Sequence, residues 1–445
     1  MEHCGQDLCT FNKALTPPGV DVGAALSSET GRHGTADPLT IVMKAAVLLY
    51  ENGQSTIMTL IAVDRLNQGL GIRSMLIPSS ASLLLIGDDT PASMRVAAAA
   101  PVAVNMRRIS SAMRTIDRAK NGLVGLDAVD HELNAAASEK FSNTWVFTLA
   151  CALGAGALAV AFGATNPWVV SLAVVSAAAG GLIRRGLGHF GFGLLPQAFA
   201  AATLAGLIGA LSVHLHLGGT TELIAVCAGM VLVPGPHILN GALDLLSLRI
   251  TLGIARLGYA SLVLAAIAAG LILGLHAARQ TLSVSAAVAY VPLSVDVLAA
   301  GVASACFAVY FSMPYRLIGW PVAAGMLAHA AHWWLMTSWG MNLAAAAFAA
   351  CLLVGTLLVA VAHWLRMTLA VAIGFASVVS FMPGSYLFRM LSGLIQLPGN
   401  ASPNLLAATA SNGAVAMLVV VGMAVGLTLP MYLRDTVLAV GAHRS

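Results

Sequence analysis

The chain has little charge. Only 9% of its 445 residues are charged, against roughly 25% in an average soluble protein, while 58% are hydrophobic and the mean hydropathy is +0.86. The deficit is uneven: residues 1–144 hold 26 of the 40 charged side chains, residues 145–433 hold 11, and no lysine follows Lys140. A net charge of +4 spread in this way provides no basic stripe to neutralise phosphates, which argues against nucleic acid as a partner. The six cysteines give no disulfide framework, because Cys151, Cys227, Cys306 and Cys351 lie in apolar stretches where they act as small hydrophobes. His3, Cys4 and Cys9 have no strong metal-site spacing, and neither a metal nor another cofactor is expected. The first 37 residues are polar and hold no apolar run to serve as a signal peptide; they read as a disordered tail that starts in the cytosol. Also missing are H-E-x-x-H, G-x-S-x-G and Walker A patterns, so the chain does not read as an enzyme or as an ATP-driven pump on its own.

What is present divides the chain in two. Residues 38–144 read as a small cytoplasmic α+β domain. Helical periodicity occupies Pro38–Tyr50, Ser55–Leu66, Val104–Lys120 and Leu123–Ala137, and the short apolar runs Met75–Ile77 and Ser82–Ile86 suit strands around a turn. From Trp145 onward, stretches long enough to cross roughly 30 Å of hydrocarbon follow one another closely. Ten spans are expected near 145–162, 167–183, 192–212, 222–246, 251–276, 287–311, 317–336, 343–363, 367–388 and 410–433. The fold class is therefore a polytopic α-helical membrane protein. Eight arginines, Arg184, Arg185, Arg249, Arg256, Arg316, Arg366, Arg434 and Arg444, fall at or near one side of these spans, and only Arg279 and Arg389 at the other. The positive-inside rule then puts both termini in the cytoplasm.

The membrane half contains a repeat. Val231–Leu246 and Ser380–Ile395 each place Pro-Gly after an apolar half-helix, at Pro234-Gly235 and Pro383-Gly384, 149 residues apart. Each Pro-Gly falls in the fourth span of a five-span half. Five is odd, so residues 145–276 and 277–445 are expected to form two inverted five-helix repeats. Paired interruptions at matching positions are a pointer to a transporter's binding site. A break frees carbonyls on one half-helix and N–H groups on the other, which suits a zwitterion; a simple proline kink is the plainer reading. His237, Asn240, Ser385 and Arg389 lie just beyond the breaks and complete the candidate substrate residues.

Proton coupling calls for an ionisable group inside the membrane, and this half offers Glu222, Asp244 and Asp296. Asp296 is expected near mid-membrane and unpaired, and is the first candidate; Asp244, expected nearer the cytoplasmic mouth, is the second; Glu222 reads as a solvated helix end. His329 and His332 read either as a proton relay or, by preference, as part of an interfacial aromatic belt with Trp333 and Trp334.

Pro234-Gly235 with Asn240 and Asp244, then Pro383-Gly384 with Arg389, resemble the two signature segments of the threonine/serine exporter family. Tyr50-Glu51-Asn52-Gly53, Asp64-Arg65 and Val104–Ile109 resemble that family's cytoplasmic domain. One departure is Ser247, where glycine is expected. The resemblance implies a secondary transporter in the cell's inner membrane that exports threonine, serine and similar small neutral amino acids using the proton gradient. Its partners are then the amino acid, protons and the bilayer, with a homo-oligomer left open by the Gly-rich helices. A passive channel is the alternative within transport. A membrane-anchored hydrolase using Glu51, Asp64, Asp127, Asp130 and Glu132 is the alternative from another class.

Overall fold

The computed structural model describes residues 37–88, 93–101, 103–215, 222–277, 279–284, 291–365, 376–400 and 402–442. The N-terminal tail, with His3, Cys4 and Cys9, lies outside them, as do Arg366, Arg444, the start of the expected sixth span and residues 367–375 of the ninth.

Residues 38–138 form a cap of helices α1 (Pro38–Glu51), α2 (Thr56–Leu70), α3 (Met106–Lys120) and α4 (Leu126–Ser138) around a three-stranded sheet. The strands β1 (Ser74–Pro78), β2 (Ser82–Gly87) and β3 (Met94–Ala98) pair antiparallel in that order. The strand β3 was not expected from sequence: its residues are mostly exposed and show no alternation to read. Ser55 caps α2 by accepting the Met58 N–H, an interaction worth about 1 kcal/mol. Gly71 ends that helix in the left-handed conformation at φ 67°. Asn105 caps α3 by accepting from the N–H groups of Arg107 and Arg108. Ion pairs Lys44–Asp130 (2.7 Å) and Arg118–Glu132 (2.5 Å) hold α4 to α1 and α3.

The rest is helical: α5 (Thr144–Ala161), α6 (Pro167–His189), α7 (Leu194–His214), α8 (Glu222–Met230), α9 (Gly235–Leu246), α10 (Ile250–His276), α11 (Leu293–Tyr310), α12 (Gly319–Ser338), α13 (Leu343–Leu365), α14 (Gly384–Gln396) and α15 (Pro403–Ala442). Among the described residues, seven helices are long and apolar enough to cross a membrane, namely α5, α6, α7, α10, α11, α13 and α15; the pair α8 and α9, bent by 60°, makes an eighth. The chain is a multi-pass membrane protein. The 20-residue α12 is outside that set.

Glycine lets the closest helices touch. A Cβ on Gly274 of α10 would lie 2.3 Å from the Thr203 carbonyl oxygen of α7, and one on Gly206 would lie 2.4 Å from the Leu271 oxygen. In the second half, Gly426 of α15 meets the Phe348 oxygen of α13 at 2.6 Å in the same sense. Small residues at such crossings replace the hydrophobic driving force that lipid removes.

Two outcomes follow. Gly274→Val should destabilise the detergent-purified protein by about 1–3 kcal/mol through overpacking, whereas Gly258→Ala, in the same helix with open space around it, should not lower thermal stability. Burial pushes the Glu51 carboxyl in the cap upward, with Arg108 partly opposing. A raised carboxyl disfavours the charged native form, so its cost is absent below the ordinary value of 4.5 and grows as pH rises above it. Glu51→Gln should therefore be more thermostable than wild type at neutral pH, with the gain vanishing near pH 4; a less stable variant at neutral pH would contradict this.

Candidate functional site

The two Pro-Gly segments adopt the same backbone. Pro234 sits at φ −78°, ψ 58° and Pro383 at φ −78°, ψ 45°. In each, the glycine N–H turns back two residues, Gly235 to the Val233 carbonyl (2.8 Å) and Gly384 to the Met382 carbonyl (2.7 Å). The breaks also touch: a Cβ on Gly384 would come within 3.1 Å of Met230 and 3.2 Å of Val233, so only glycine allows this approach without displacing them. One expectation fails here. The first break does not free N–H groups for a carboxylate, because Gly235, His237 and Ile238 all donate to Val233 or Pro234 and Pro236 has no N–H.

Cavities lie on both sides of the touching breaks. One, of about 490 Å³, opens beside the cap and is lined by Pro234, His237, Arg184, Arg185, Tyr310 and the cap residue Val104. The other, of about 140 Å³, lies beyond the second break and is lined by Asp296, His329, His332, Trp333, Ser380 and Ser385 among others. By the rule that one water needs roughly 10–15 Å³ of such volume, the smaller cavity still holds a small organic molecule. Between them, Leu158, Met230, Val233, Phe307, Val379 and Met382 leave a gap of only about 10 Å³. Val233 also lines the cap-side cavity, and Leu158 and Met382 the far one, so the three spaces lie in series.

The far cavity contains a polar chain. His329 Nδ1 lies 3.1 Å from Asp296 Oδ2, and its Nε2 lies 2.8 Å from Ser380 Oγ. With Nδ1–H donating to the carboxylate, Nε2 accepts from the Ser380 hydroxyl, and the three groups form one directed hydrogen-bond chain. Phe381 stacks on the imidazole at 4.4 Å and fixes its plane. Asp296 is thus paired, correcting the expectation of a lone carboxylate. It also lies in the first turn of α11, not deep in a span, because the helix starts only after Pro292. The preference for an aromatic belt at His329 is likewise overturned: its ring is buried, and Trp333, one turn along, turns its indole N–H to the Val291 carbonyl at 2.8 Å. Ser380 and Phe381 escaped sequence reading, although both stand within three residues of Pro383.

Residues 40–278 match the threonine/serine exporter family model ThrE, and residues 296–433 match ThrE_2, a second model of the same exporter. The chain belongs to the threonine/serine exporter family. No solved structure matches it.

Several candidate residues of this exporter serve elsewhere than the cavities. Asn240 donates its side-chain N–H to the Gly53 carbonyl of the cap (3.2 Å). Asp244 pairs with Arg256 at 3.0 Å and accepts from the Thr56 hydroxyl of the cap at 3.1 Å. The Arg256 guanidinium faces the Tyr50 ring at 5.0 Å. Arg256, expected as a flanking charge, is instead a buried member of α10 and 4% exposed. Arg389 lines neither cavity. At the departure from the family pattern, Ser247 takes an ordinary φ of −91°, and the left-handed position falls on the exposed Leu248 at φ 59°.

Removing one member of a buried ion pair strands the other. Arg256→Met should cost about 3–5 kcal/mol, and adding Asp244→Leu to it should restore part of the loss, as read by thermal unfolding of the purified exporter. Equal loss in single and double variants would show that the pair does not carry the contact.

Proposed function

We propose that this exporter moves small neutral amino acids of the threonine/serine class out across the inner membrane as a proton-coupled antiporter. It does so with ten spans in two inverted five-helix repeats and both termini in the cytoplasm. The observation that carries the reading is the Asp296–His329–Ser380 chain, buried in a cavity whose wall includes Pro383 and Ser385 and which an apolar constriction separates from the cap-side cavity. Repetition supports the architecture: the breaks share one backbone, and the same glycine-mediated crossing joins α7 to α10 and α13 to α15, the third and fifth spans of each half. α12 serves as the seventh span, since its polar His329 and His332 line the cavity.

Antiport follows from competition for one negative charge. The unprotonated Asp296–His329 pair carries a single negative charge that suits an amino acid's ammonium, and a bound proton neutralises it, so the cavity accepts the proton or the substrate. The hydroxyls of Ser380, Ser385 and Tyr386 hold the substrate when the proton is absent. A channel is disfavoured by the closed apolar constriction. The hydrolase reading is disfavoured because Asp130 and Glu132 are occupied by Lys44 and Arg118.

Cells fed threonine- or serine-containing dipeptides should lose the free amino acid faster with the protein than without it. In reconstituted vesicles, Asp296→Asn should abolish proton-driven transport while amino-acid exchange across the membrane persists, because exchange needs no net proton movement. Proton-driven export at the wild-type rate in Asp296→Asn would sink the assignment.

A further inference from the structure

Arg184 and Arg185 are adjacent in the last turns of α6 and both line the cap-side cavity. Arg184 donates to the Tyr310 hydroxyl and lies 5.5 Å from that ring's centroid. Arg185 lies 4.3 Å over Phe147 and donates to the Ser142 carbonyl at 3.2 Å. Among the described residues, neither has a carboxylate partner, and the cavity lining holds no Asp or Glu. Arg184 Nε is buried and without a hydrogen-bond partner. Two neighbouring guanidiniums pinned by aromatic rings repel one another unless an anion joins them, and a carboxylate matches their donor geometry. The cavity leads through Val233 to the constriction and on to Asp296.

We propose that Arg184 and Arg185 form a carboxylate-binding subsite in the cap-side vestibule, which receives the α-carboxylate of the amino acid before it passes the constriction. This rests on the amino-acid reading above. Lipid phosphate is the other anion such a pair would attract, but the cavity the pair lines also includes Pro234 and His237 at the first break.

The test labels Gly188→Cys in the full-length protein with Cys4→Ser and Cys9→Ser, reconstituted in nanodiscs. Gly188 is exposed at the vestibule, and its added Cβ would meet only Gln197, at 3.5 Å. L-Serine should slow reaction with a neutral maleimide, whereas L-serinamide and ethanolamine, which lack the carboxylate, should not. Arg184→Gln and Arg185→Gln should each raise the half-protecting L-serine concentration about tenfold, the loss of one charge-assisted hydrogen bond, with partial rescue by Lys. Should the Gln variants fail to fold, the contrast between serine and serinamide decides alone. Equal protection by serinamide, unchanged protection in both folded Gln variants, or labelling that follows anionic-lipid content and ignores serine would each overturn the subsite. Protection without export in dipeptide-fed cells would overturn the transport reading and leave the subsite standing. Export without carboxylate-selective protection would do the reverse.

Discussion

A chain that stops being helical inside hydrocarbon exposes amides and carbonyls that lipid cannot satisfy. The two Pro-Gly breaks meet that constraint by turning each glycine N–H back on the preceding carbonyl and by packing against each other, Gly384 on Met230 and Val233. The rest of the membrane region depends on this contact. The first break bends α8 from α9 by 60°, a cavity lies on either side, and the contact holds Met230, Val233 and Met382 together in the closed neck between them. Even a Cβ on Gly384 would make the side chains of Met230 and Val233, both part of the constriction, give by a few tenths of an ångström.

The cap is docked on the same element. Gly53, at φ 91°, has no room for a side chain because Val104 Cγ2 would lie 2.8 Å from its Cβ, and its carbonyl accepts from Asn240 of α9. Thr56 and Tyr50 meet the Asp244–Arg256 pair, and the Met106 N–H donates to the Phe311 carbonyl at 3.0 Å, at the end of α11. The cap thereby touches the helix that follows the first break and the helix that carries Asp296. These contacts join the cap to elements that line both cavities, α9 with His237 on the cap side and α11 with Asp296 on the far side.

Legibility of the sequence followed the range of the physics involved. Pro-Gly was readable because proline removes a donor and glycine frees φ wherever they stand, and both breaks occur where the residues put them. Asp296 was readable as a candidate because a carboxylate in an apolar stretch is costly, but its partner was not: His329 is 33 residues away on another helix. Arg256 was misread because a rule based on flanks measures distance from span ends. In fact α10 starts at Ile250 and turns Arg256 inward onto Asp244. The docking contacts of the family's Tyr50–Gly53 and Val104–Ile109 segments were not visible in sequence, since Gly53 meets Asn240 and Met106 meets Phe311, each more than a hundred residues away.

Charge is ordered along the path. The vestibule beside the cap is lined by Arg184 and Arg185 with no acid among its residues, and the far cavity by Asp296 with only the imidazoles of His329 and His332 as bases. On the export reading proposed above, a zwitterion leaving the cap side meets a surface suited to its carboxylate first and one suited to its ammonium afterwards. In between is an apolar neck that neither charge can occupy cheaply. Such an order favours passage as one event, with the neck opening around the substrate, over slow diffusion through a standing pore. On the proposed reading, the neck's residues Leu158, Phe307 and Val379 affect rate although they lie apart from the Asp296–His329 pair.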